Sequence, residues 1–166
     1  MRTIILPGYS LHNKDWAYQV KNNLDLNHKV IVHEWRHWRD KSLSFNLESE
    51  LKKIKEKIDA EKINIIAKSV GTLVAIKLLS ELKPEINKII LCGIPSTSKV
   101  RKKIYKEALK DFSFKKIIVF QNTGDPFAGY QEVKKFFREI RPGIKVVEKP
   151  RKDHHYPYNE DFLKFL

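Results

Sequence analysis

The sequence predicts an α/β fold, a three-layer α/β/α sandwich on a six-stranded, mostly parallel sheet. Three observations carry that expectation. Short apolar runs alternate with amphipathic segments along the whole chain, the pattern of a sheet covered by helices. The runs are nearly continuous in Val and Ile, as strands buried on both faces require. No linker, internal repeat or low-complexity tract interrupts them, and 166 residues are enough for one full core, so 1–166 reads as a single domain.

Taken in order, the first strand, 3–6, stops at Pro7-Gly8, and a helix follows over 16–24. A second strand at 29–33 precedes a helix over 46–60, where Leu47, Leu51, Ile54 and Ile58 trace one apolar stripe among lysines and glutamates. The third strand, 63–67, breaks at Lys68-Ser69-Val70-Gly71 and passes directly into a helix over 70–82. The fourth, 88–92, leads to a basic helix over 99–110 whose apolar edge is Val100, Ile104 and Ala108. The fifth, 116–120, is followed by a Gly-containing turn and a helix over 130–140; the last, 145–148, by a histidine loop and a helix over 159–166.

Bulk properties exclude several classes. Hydrophobic residues at 42% and aromatics at 11% argue for a globular chain and against disorder. Cys92 is the only cysteine and lies in an apolar run, which leaves neither a disulfide framework nor a thiolate metal site. No run approaches membrane-spanning length, and the apolar stretch at the start is too short for a signal peptide. A cytoplasmic location is the expectation. The net charge of +13 raises the question of nucleic acid. The lysines are spread over nearly every predicted helix, however, and no nucleic-acid motif occurs, so specific nucleic-acid binding is not expected.

The chemistry is concentrated after the strands. In parallel α/β sheets, ligands bind outside the C-terminal strand ends. There the chain places Pro7-Gly8-Tyr9-Ser10, then Ser69, then Asn122-Thr123-Gly124-Asp125-Pro126, then Asp153-His154-His155-Tyr156. Ala67-x-Ser69-x-Gly71 sits on a strand-to-helix turn, where a serine hydroxyl is lifted above the sheet and a helix N-terminus favours developing negative charge. A nucleophile, an acid and a histidine thus occur in the order Ser, Asp, His at one sheet edge.

These residues resemble a compact α/β-hydrolase, without the first two strands of the full-length fold and without a lid domain. Ala67-Lys68-Ser69-Val70-Gly71 is similar to the family's nucleophile elbow, Thr123-Gly124-Asp125-Pro126 to its acid turn, and Lys149 to His154 to its last strand and histidine loop. The resemblance implies a Ser69–His154–Asp125 triad and an oxyanion hole from the backbone N–H groups of Tyr9 and Val70. Pro7-Gly8-Tyr9 stands where many members have His-Gly-x; proline removes only its own N–H, so the donor at Tyr9 remains.

Alternatives stay open at several positions. His154 lies four residues after Pro150, the family spacing, while His155 is followed by the aromatic Tyr156, as the histidine is in members with a Gly-His-aromatic pattern. Asp125 is the main candidate for the acid, from its place at a strand end in order with Ser69 and His154, against the reading of an ordinary Asp in a Gly-containing turn; Asp153 adjoins His154 too closely to orient its ring easily. His33 and His37 are four apart, but no further Cys or His joins them as a metal site. Trp35 and Trp38 wall a substrate cleft, together with His155, or pack beneath it. The expected function is a serine hydrolase, a carboxylesterase acting on a small-molecule ester or acyl substrate through an acyl-enzyme, with no cofactor and no metal. The alternative is a catalytically weak member of the fold that serves as a binding protein, with Lys68 occupying the pocket.

Overall fold

A computed structural model describes residues 1–58 and 62–166. Six strands form one sheet: β1 (Arg2–Leu6), β2 (Lys29–Val32), β3 (Ile63–Lys68), β4 (Ile86–Cys92), β5 (Ile117–Asn122) and β6 (Lys145–Lys149). Their order is β2-β1-β3-β4-β5-β6, and every pairing is parallel. The chain moves outward from β1 to β2, then crosses back to β3 on the other side of β1. That reversal makes the C-terminal ends of β1 and β3 the switch point of the sheet, where α/β folds bind ligands. Leu6 lies opposite Ala67 there, so the loop after β1 emerges beside Lys68 and Ser69.

The helices are α1 (Asn13–Asn23), α2 (Arg36–Arg39), α3 (Leu47–Lys55), α4 (Val70–Glu81), α5 (Lys99–Leu109), α6 (Tyr130–Ile140) and α7 (Asn159–Phe165). Alternation along the strands sends side chains into two separate cores. Ile4, Ile65, Ile89 and Val119 meet α3 to α6 through Leu51, Val74, Tyr105 and Phe137. Ile5, Ile66, Ile90 and Phe120 meet α1 and α7 through Trp16, Val20 and Phe162. The result is helix, sheet, helix in three layers. Among the described residues no helix is long and apolar enough to cross a membrane.

Several boundaries differ from the sequence expectation for local reasons. Asn46 is the N-cap of α3 rather than its first residue, its side-chain oxygen accepting from Ser49 N–H. That helix ends at Lys55; residues 59 and 60 of the expected helix lie outside the described residues. α1 begins at Asn13 instead of Trp16. α2, four residues long with no buried residue, has no apolar period by which a sequence could announce it.

Candidate active site

Ser69 stands between β3 and α4 with φ 56° and ψ −120°, and it is the only non-glycine with positive φ among the described residues. Such a conformation costs on the order of 1–3 kcal/mol and persists only where the surroundings enforce it. Here they do: Ser69 N–H donates to Cys92 C=O at 3.0 Å, and Thr72 N–H and Oγ1 both bond Ser69 C=O, at 3.0 and 2.6 Å. Gly71 explains how the turn fits. A Cβ there would lie 2.2 Å from the Leu6 carbonyl oxygen and 2.8 Å from that of Pro7, so only glycine lets the elbow pack against the end of β1.

Asp125 follows β5 and is 5% exposed. Its Oδ2 lies 2.6 Å from His154 Nδ1 and accepts from Tyr156 O–H at 2.5 Å, while Oδ1 accepts from Phe127 N–H at 2.9 Å. Burial works against its charge, but these donors outweigh it and hold the carboxyl below the usual aspartate range. Because a carboxylate only accepts, His154 must carry its proton on Nδ1. Nε2 is then an acceptor, and it is buried without a hydrogen-bond partner among the described residues. Asn122 fixes the loop that presents the ring: its side-chain amide donates to the carbonyls of Asp153 and His155 at 2.7 and 2.9 Å.

Asp125 therefore pairs with His154 and not with its neighbour. His155 donates its backbone N–H to Asp153 at 3.1 Å. Asp153 itself pairs with Arg151, which pulls its carboxyl down to about 2. Ser69, His154 and His155 line one cavity of about 600 Å³, together with Tyr9, Trp16 and Phe127. Phe127 stands edge-on to His154, ring centroids 4.7 Å apart.

Trp35 and Trp38 line no part of that cavity, which corrects their expected place in its wall. Trp35 is fully buried in the core. Its indole N–H donates to Gly8 C=O at 2.9 Å, and the Trp38 indole N–H donates to Tyr9 C=O at 2.7 Å, joined by His37 Nε2 at 2.9 Å. The tryptophans carry the loop after β1 from beneath, because a buried indole needs an acceptor and the loop carbonyls need donors. The first contact has a directional consequence. In a trans peptide C=O and N–H point opposite ways, so the bond to Gly8 C=O sets the direction of Tyr9 N–H. Val70, the first residue of α4, has one of the N–H groups that the helix itself leaves without a partner.

His33 and His37 are held by different partners: His33 bonds Glu50 at 2.8 Å and His37 bonds Tyr9 C=O of the loop. Asn13 is a site residue that no sequence signal marked. Its Nδ2 donates to Ser10 C=O and Ser10 Oγ, both at 3.1 Å, and its Oδ1 accepts from Lys68 Nζ at 2.5 Å. Gly8 leaves the space for it, since a Cβ there would sit 2.6 Å from Asn13 Oδ1.

No family model matches the sequence, and none of the curated proteins does. Solved structures do match. An α/β serine hydrolase homologue from Coxiella burnetii superposes with TM-score 0.75 at 16% identity, over 100% of this chain and 85% of that one. A serine hydrolase without a lid from Xanthomonas campestris gives 0.69 at 16%, over 98% and 77%. The ferulic-acid-bound Est1E from Butyrivibrio proteoclasticus gives 0.71 at 13%, over 99% and 87%. Identities this low speak to architecture, and over nearly its whole length the chain has the fold of a compact α/β-hydrolase.

Proposed function

We propose that the chain is a serine hydrolase, cleaving a carboxylic ester through an acyl-enzyme. Ser69 Oγ attacks the carbonyl carbon as His154 Nε2 takes its proton, and the carbonyl electrons move onto oxygen. Tyr9 and Val70 N–H receive that oxyanion, a contribution of about 3 kcal/mol per donor in sites of this kind. Collapse of the intermediate expels the alcohol, protonated by His154; water then repeats the sequence on the acyl-enzyme. Asp125 holds the ring in the tautomer that leaves Nε2 basic and stabilises the imidazolium formed in each half-reaction.

The observation that carries this reading is the Asp125–His154 bond at 2.6 Å, with Nε2 left unpartnered beside a cavity that Ser69 also lines. The strained φ of Ser69 supports it, since strain of that size collects at functional positions. Intact mass after fluorophosphonate treatment is the test. One adduct is expected on the native protein and none on Ser69→Ala. A folded native protein that stays unlabelled overturns the reading in favour of a binding protein.

A further inference from the structure

Lys68 is the feature of the cavity that ester hydrolysis does not require. The residue is 5% exposed, yet it lines the cavity beside Ser69. Among the described residues it forms no ion pair. Its Nζ bonds the neutral Asn13 Oδ1 at 2.5 Å and lies 5.4 Å from the centre of the Trp16 ring. An ammonium has three donors, so the Asn13 contact leaves it capacity for a further acceptor. A buried cation with no carboxylate against it is costly. Bracing Asn13 alone needs a donor and no charge.

The surroundings match an amphiphilic anion. Tyr9, Trp16 and Phe127 supply aromatic walls. The histidines His12, His154 and His155 border the same space, where Asp15 is the sole acidic lining residue and is exposed. Asp125 and Asp153 act on Lys68 only through space, and Cys92 is a buried thiol that burial keeps protonated. We propose, building on the hydrolase reading, that the site selects esters that carry a carboxylate, received by Lys68 Nζ beside the nucleophile while the hydrocarbon part lies against the aromatic walls.

Two matched pairs of substrates test this: p-nitrophenyl hemiglutarate against p-nitrophenyl pentanoate, and 4-butanoyloxybenzoate against its methyl ester. A charge-assisted hydrogen bond in such a site corresponds to about tenfold or more in kcat/KM. The native protein should favour the anionic member of at least one pair by that factor. In Lys68→Met the charged-to-neutral ratio should fall about tenfold. A lysine that merely braced Asn13 would lower both members alike and leave the ratio unchanged, which overturns the proposal.

A second measurement needs no variant. Burial pushes the Lys68 ammonium down from 10.5 to about 8, so it is cationic below that pH and neutral above. The substrate carboxylate is ionised throughout. The ratio should be complete near about pH 7 and decline as pH rises through about 8; a flat ratio counts against the proposal. Ser69→Ala separates this inference from the hydrolase reading. Monomethyl glutarate should raise its Tm, dimethyl glutarate should not, and Lys68→Met in the same background should abolish the shift. If no ester is turned over but the shift appears, the anion site stands and the hydrolase reading fails. Turnover with neither a shift nor a charge preference would overturn the anion site and leave the hydrolase reading standing.

Discussion

Two buried histidine–carboxylate pairs occur in this molecule, with nearly the same bond and opposite surroundings. His33 Nε2 meets Glu50 at 2.8 Å and His154 Nδ1 meets Asp125 at 2.6 Å. In the first pair every polar atom is occupied. Lys57 Nζ lies 3.3 Å from His33 Nδ1, and Arg36 N–H donates to the other Glu50 oxygen at 3.1 Å. Both side chains are 1% exposed. In the second pair the imidazole is the opposite tautomer, its Nε2 has no partner among the described residues, and the ring borders a cavity. A histidine–carboxylate bond is therefore a weak sign of catalysis. The telling features are an unpartnered basic nitrogen and a place for substrate beside it.

The same acid-to-amide change in each pair tests that distinction. Asp125→Asn replaces an acceptor with a group whose NH₂ donates, favouring the wrong histidine tautomer, and kcat for a p-nitrophenyl ester should fall by about 10⁴. Glu50→Gln should act on stability instead. Both Glu50 oxygens accept, and an amide satisfies only one of the two donors, so unfolding free energy should drop by about 2 kcal/mol in urea titration. Its kcat per active site, counted by fluorophosphonate titration, should stay within about threefold of native. Glu50→Gln losing catalysis while folded, or Asp125→Asn sparing it, would erase the contrast between the pairs.

Much of this architecture was legible because burial imposes composition. Strands with neighbours on both sides had to be apolar throughout, which marked β3 at 63–67 against 63–68 observed. The Ser69 turn was legible because a tight strand-to-helix reversal demands small residues, and Gly71 shows why. The parts that were hidden depend on contacts distant in sequence. Burial of Trp35 follows from its bond to Gly8 across 27 residues, and an aromatic after a strand reads equally well as cleft wall. His154 and His155 are adjacent and line the same cavity, and only the bond from Asp125 to His154 separates them. Asn13 and Asn122 act through amides holding loop carbonyls, a use that leaves no pattern in sequence.

Trp35 joins the two regions, which allows the finest of the tests. Its ring stands edge-on to His33, centroids 4.8 Å apart, while its indole N–H holds Gly8 C=O. The closed pair is thus a footing for the loop whose next N–H is the proposed oxyanion donor. Trp35→Phe keeps an aromatic ring in the core and deletes that one bond. The donor at Tyr9 remains but is less firmly aimed, so kcat should fall about tenfold, less than for outright loss of a donor. KM should hardly change, because the oxyanion exists only in the transition state and not in bound substrate. Rates referred to titrated active sites remove any loss of folded protein from the measurement. A rise in KM at constant kcat would mean that Trp35 shapes the binding cavity through the loop, and that the Gly8–Tyr9 peptide is held by the remaining contacts at Tyr9 C=O alone.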